Sequence, residues 1–136
     1  MNPGDLENHK VVCVHTDPGI CGFTCTIKAW KSGKRMVGVD ISGSECKQVK
    51  ALAKVLKEMS LKDVFTPLTR NPAYSAAEKS GCHPSCVIPA AILKAVEIAM
   101  EMALPKEVGM TFKNGAADKE DCETEEKNEL KKCRSI

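Results

Sequence analysis

Eight of the 136 residues are cysteine, and four of these occupy positions that favour a thiolate. Cys21 lies between Gly19 and Gly22, where small residues leave room for backbone N–H groups to approach a metal or bridging sulfides. Cys46 opens a helical repeat, and Cys82-His83-Pro84-Ser85-Cys86 leads into another. At a helix start the free N–H groups and the positive end of the dipole stabilise a thiolate. Thiolates gathered together bind zinc or an iron–sulfur cluster. Cys21, Cys46, Cys82 and Cys86 are therefore the candidate metal ligands, with an iron–sulfur cluster or zinc as the cofactor.

The local spacing does not make a site by itself. Cys-x3-Cys occurs at 21/25 and at 82/86, which is neither the Cys-x2-Cys of common zinc sites nor the dense run of small ferredoxins. The ligands must converge from far apart, and the 26 residues between Met59 and Cys86 are long enough to bring the chain back. His83 is available as a further ligand, although a lone loop histidine is more often simply solvated. Cys13, between Val12 and Val14, and Cys25, sharing a face with Phe23 and Ile27, read as small hydrophobes packed in strands. His15 and Asp17 read as a polar surface pair, and Cys122 and Cys133 as free thiols of a charged tail.

Two other function classes stand beside metal binding. A thiol redox or thiol-nucleophile enzyme would use Cys82 and Cys86, or Cys21, with His83 or His15 as base. A cofactor-free interaction module would carry these cysteines incidentally. No phosphate loop, dinucleotide fingerprint, HExxH or Gly-x-Ser-x-Gly pattern occurs.

Composition narrows the partners. Lys and Arg number 20 against 18 Asp and Glu, interspersed, for a net charge of +2, and aromatics are 4%. With no basic stripe and few stacking rings, nucleic acid is not an expected partner. The longest apolar stretch, from Val87 to Leu104, is broken by Lys94, Glu97 and Glu101, so no membrane span is expected. The opening MNPGDLENHK has no apolar targeting core, which points to the cytoplasm. There thiols stay reduced, and ligands or redox groups are expected over disulfides. The fitting partner is a redox protein or another metalloprotein.

These residues must be positioned by a small core of Val, Ile, Leu, Ala and Met. Residues 10–15 and the alternating stretches around 23–30 and 36–41 predict three strands. Burial of both apolar faces in the second hairpin selects an odd loop, with Ala29 opposite Val37, Ile27 opposite Val39 and Cys25 opposite Ile41. That register sets Cys21 and Cys46 at one end of the sheet. Ser42-x-x-Glu45 matches a capping box, followed by Val49, Leu52, Ala53, Leu56 and Met59 at helical spacing. A brief helical turn begins at Ser60, a short helix runs from Asn71-Pro72 to Gly81, and a long one covers about 87–103. Val108, Met110 and Phe112 alternate as a last strand. The expected fold is α+β, a mostly antiparallel sheet of about four strands in the order β-β-β-α-α-α-β, with helices on one face. Residues 1–9 read as a flexible N-terminus, 10–113 as one α+β domain and 114–136 as a charged tail, helical over 123–133.

The stretches Pro18-Gly19-Ile20-Cys21-Gly22-Phe23, Glu45-Cys46-Lys47-Gln48-Val49, Cys86-Val87-Ile88-Pro89-Ala90-Ala91-Ile92-Leu93-Lys94 and Ala103-Leu104-Pro105-Lys106 carry a resemblance. Over about residues 10–113 the chain resembles a family of small uncharacterised cysteine-containing proteins from methanogens and other anaerobic prokaryotes. The resemblance implies Cys21, Cys46 and Cys86 as the matching positions and an anaerobic cytoplasm suited to iron–sulfur chemistry. It implies no activity.

Overall fold

The computed structural model describes residues 10–112. Its sheet has four antiparallel strands in the order β1-β2-β3-β4: β1 (Val12–Thr16), β2 (Cys25–Gly33), β3 (Met36–Ser42) and β4 (Glu58–Ser60). Helix α1 (Lys47–Val55) precedes β4, and α2 (Leu61–Val64), a 3-10 turn (Leu68–Arg70), α3 (Pro72–Lys79) and α4 (Ile88–Ala99) follow it. The expected α+β class, the antiparallel sheet and the one-sided helices all hold. The compact unit ends at Pro105. From Lys106 the chain forms a second unit, of which residues 106–112 are described, without regular secondary structure. The predicted tail helix, Cys122 and Cys133 lie outside the described residues.

Alternation decides which sheet face is covered. Cys25, Ile27 and Ala29 of β2 and Val37, Val39 and Ile41 of β3 are buried on one side, while Lys28 and Asp40 are exposed on the other. Helix α4 lies over β1, β2 and β3 through Ile88, Ile92, Ala95, Val96 and Ala99, spaced at helical period along one stripe. Helix α1 covers β3 with Val49 and Leu52, and α3 wedges between α1 and α4 with Ala73 and Ala77.

Four sequence expectations shift. The hairpin pairs Ile27 with Ile41 and Ala29 with Val39, two residues out from the expected register. The faces are the expected ones because the extra residue enters as an irregularity between Lys31 and Gly33, next to a tight turn at Lys34-Arg35. Ser42 does not cap α1, since it is still paired to Thr26 in the sheet; the helix instead begins after Cys46, with no side-chain cap. Met59 belongs to β4, where it lies opposite Val37 and is fully buried. Leu56 and Met59 are three apart, which suits a helix stripe, but the free edge of β3 needs hydrogen-bond partners. The Val39 N–H donates to the Lys57 carbonyl at 2.8 Å, and closing that edge with a strand so near in sequence costs little loop entropy. The fourth strand is thus Glu58–Ser60, and residues 108–112 form none: Val108, Met110 and Phe112 are exposed.

The predicted cap at Asn71 holds, and the helical turn expected from Ser60 is opened by a capping box. Ser60 Oγ accepts from the Asp63 N–H at 3.2 Å while Asp63 Oδ2 accepts from the Ser60 N–H at 2.8 Å. Asn71, 2% exposed, caps α3 by accepting from Ala73 N–H at 3.0 Å. Its amide also donates to the carbonyls of Asp63 and Thr66 at 2.9 and 3.1 Å.

On the open face Trp30 lies opposite Gly38. A β-carbon at Gly38 would sit 2.5–2.7 Å from three indole atoms of Trp30. Gly38→Ala is expected to cost about 1–3 kcal/mol in urea unfolding. In a Trp30→Leu background the same change should cost less than about 1 kcal/mol, since the two positions are in contact and couple.

Candidate functional site

Each candidate thiol is placed by a local device. A turn closed by Gly22 N–H donating to the Gly19 carbonyl at 2.9 Å carries Cys21, with both glycines at positive φ, +84° and +70°. Asp17 Oδ1 accepts from the Gly19 N–H at 3.0 Å and steadies the approach. Cys46 is the N-cap residue of α1, and its carbonyl accepts the first helical bond, from Lys50 N–H at 2.9 Å. Ser44 Oγ accepts from the Cys46 N–H at 3.1 Å, and the Cys46 thiol donates to Gln48 Oε1 at 3.2 Å.

Cys82 is set by the way α3 ends. Gly81 has φ +82°, the Cys82 N–H donates to the Ala77 carbonyl at 2.9 Å, and the Gly81 N–H donates to the Glu78 carbonyl at 3.1 Å. This paired bonding is the Schellman termination, and it fixes the residue after the glycine. A turn follows in which Cys86 N–H donates to the His83 carbonyl at 3.0 Å, and α4 begins two residues later.

These four segments meet at the sheet end where β1 stops and β2 starts. Cys21, Cys46, Cys82 and Cys86 line one concavity of about 220 Å³, with His83, Gln48 and the apolar side chains of Phe23 and Ile88. All six described cysteines are free thiols. Cys46, Cys82 and Cys86 are half-buried, and Cys21 is exposed. The Cys82 thiol lies near Cys86 and Cys46, whose ionised forms oppose its own ionisation. Among the described residues no three Cys, His, Asp or Glu side chains are set to hold a metal ion as they stand. The thiols share a concavity, not a closed coordination sphere.

Cys25 belongs to the same neighbourhood, and sequence reasoning missed it. It packs in the core as expected, 3% exposed, yet its thiol feels the charge of both Cys86 and Cys46. The inward alternation of Cys25 and Ile27 on β2 was the available signal. Cys13 departs the other way. The strand turns Val12 and Val14 inward, so Cys13 is exposed and not packed as a small hydrophobe. His15 is not paired to Asp17: its Nδ1 lies 3.1 Å from Thr26 Oγ1 and its Nε2 lies 3.9 Å from Cys13 Sγ.

Burial, and then the neighbouring Cys86, push the Cys25 and Cys82 thiols up to about 11. Both are protonated at neutral pH. Unfolding returns Cys25 to its ordinary value of 9.0, so between about pH 9 and 11 the unfolded chain sheds a proton that the folded chain keeps. Stability therefore falls as pH rises through that window. Urea midpoints measured from about pH 8.5 to 10.5 should fall less steeply for Cys25→Ala than for the unaltered chain.

Among the described residues no helix is long and apolar enough to cross a membrane. Searches of curated proteins and of solved structures gave no significant match. A family match does exist, and it spans most of the chain, including all four candidate ligands: over residues 12–112 this protein belongs to the family of unknown function DUF6951.

Proposed function

We propose that the chain binds a metal centre through Cys21, Cys46, Cys82 and Cys86, and that the centre is an iron–sulfur cluster. The observation that carries this reading is the lining of one concavity by four thiols from four separate segments. Independent loop thiols have no reason to meet. The energetics point the same way. Burial and the neighbouring Cys86 make Cys82 costly to ionise, and a bound cation reverses that cost, since coordination deprotonates a thiol outright.

A cluster suits the site better than a lone zinc ion. Thiolates on one zinc, with Zn–S near ~2.3 Å, lie roughly 3.5–4 Å apart, and no such group is formed among the described residues. Bridging sulfides and several irons spread their thiolates further. The role consistent with a half-exposed centre is electron transfer, cofactor carriage or sensing, with a redox or metalloprotein partner.

A second reading draws on one proximity. Cys82 and Cys86 line the same concavity, four residues apart in one turn, and a thiol–disulfide couple there is the alternative. Against it, Cys82 is pushed up to about 11, and a protonated thiol is a poor attacking group.

Anaerobic purification, reconstitution with iron and sulfide or with zinc, and metal and sulfide analysis separate the two. The expected result is stoichiometric iron and sulfide with visible charge-transfer absorption. Serine at Cys46, Cys82 or Cys86 should weaken the centre by more than the roughly 10–100-fold typical of outer partners, while Cys13→Ser leaves it intact. Zinc uptake alone would replace the cluster by a single ion. Protein that takes up neither metal yet forms a Cys82–Cys86 disulfide would overturn the metal reading.

A further inference from the structure

A second thiol lies on the opposite face of the sheet, in surroundings unlike those of the concavity. Cys13 is exposed on β1. On the same face, two residues on, His15 presents Nε2 to the Cys13 sulfur at 3.9 Å. The other ring nitrogen, Nδ1, lies 3.1 Å from Thr26 Oγ1, and Thr26 is the cross-strand partner of His15. Lys28 stands directly across from Cys13, and Asp40 across from Lys28. A nucleophile, a base within reach of its proton, and a third group orienting that base are the parts of an activated thiol. The strand pairing holds them rigidly, because His15 and Thr26 are neighbours in a ladder and not on a loop.

Space for a reactant adjoins the imidazole. A second concavity, of about 190 Å³, is lined by His15, Thr16, Thr24, Thr26 and Asp17.

We propose that Cys13 is a nucleophilic thiol with His15 as its proton acceptor, and that it undergoes exchange with small soluble disulfides. The Cys13 proton passes to His15 Nε2 and the sulfur attacks one sulfur of the disulfide. The disulfide's S–S bond breaks as the Cys13 mixed disulfide forms. The departing thiolate takes the proton back from His15 and leaves as a free thiol. Cys13 is oxidised, half of the disulfide is reduced, and no other oxidant is needed. The open face favours this over acyl transfer, since exchange needs access and a proton acceptor but no enclosed oxyanion site. The inference is independent of the metal reading, which uses none of these residues.

The test is timed reaction of the full-length reduced chain with excess hydroxyethyl disulfide under argon, acid quenching, and peptide mass spectrometry of each mixed disulfide. A small unstructured cysteine peptide added to every sample serves as the reference thiol. At pH 7, His15→Gln should slow Cys13 by about tenfold without changing the added peptide, less than the about 10²–10⁴-fold of enclosed active sites. The two proteins should converge at high pH, where hydroxide takes the place of the imidazole as proton acceptor. Thr26→Val, which frees the imidazole to rotate, should give a smaller loss at pH 7. Equal Cys13 rates at pH 7, or a deficit that persists undiminished at high pH, would overturn the proposal, as would failure of Cys13 to react at all.

Discussion

The site depends on the packing of α4 against the sheet. Its stripe of Ile88, Ile92, Ala95, Val96 and Ala99 is buried over β1, β2 and β3, and removing a large side chain such as Ile92 would cost about 2–5 kcal/mol. That burial leaves little choice in where the helix begins. Because Ile88 must reach the sheet, the turn before it, with Cys82, His83 and Cys86, is delivered to the end where β1 stops and β2 starts. Asn71 completes the constraint. Its buried amide joins the start of α3 to the carbonyls of Asp63 and Thr66, so the excursion after β4 is folded back and not free to wander. The thiols meet because hydrophobic burial fixes one helix, and a satisfied polar group fixes the path to it.

Burial and charge then oppose each other at that point. Burial raises the cost of ionising Cys25 and Cys82, and the neighbouring Cys86 raises it further. A site of this kind is stable when protonated and becomes a strong anionic cage only when a cation compensates. Proton release and metal uptake are therefore coupled, and an electropositive group among the thiols would defeat the arrangement. Among the described residues, those lining the concavity include none beyond the imidazole of His83.

The sequence was most legible where a local rule and a tertiary need agree. The Asn71-Pro72 start and the Gly81 stop are short-range hydrogen-bond patterns, and each stands as read, as does the brief helical turn from Ser60. The inward faces of β2 and β3 were legible from alternation alone. Legibility failed where one spacing serves two structures. Leu56 and Met59 satisfy a helix stripe, yet an unpaired strand edge claims Met59. Val108, Met110 and Phe112 alternate as a strand would, but alternation supplies no partner, and the edge of β3 was already filled. The hairpin register slipped by two for a related reason: parity is enforced by burial, whereas a shift of two keeps every face and is decided by the turn and the irregularity beside it.

For the thiols, what the sequence could not convey is parity relative to a distant face. Cys13 and Cys25 look alike in the chain, each set in a β-type run beside branched apolar residues. One step of alternation separates their fates. Cys25 takes an inward position and joins the neighbourhood of Cys46 and Cys86, where burial holds it protonated. Cys13 yields the inward positions to Val12 and Val14 and faces water beside His15, Thr26 and Lys28. Two thiols of the same sheet thereby stand in opposite surroundings, one buried and held protonated, the other exposed to solvent. A one-residue slip of β1 would exchange those positions and bury His15 and Cys13 in place of two valines. The cost of burying an imidazole without partners is what keeps the two thiol environments apart.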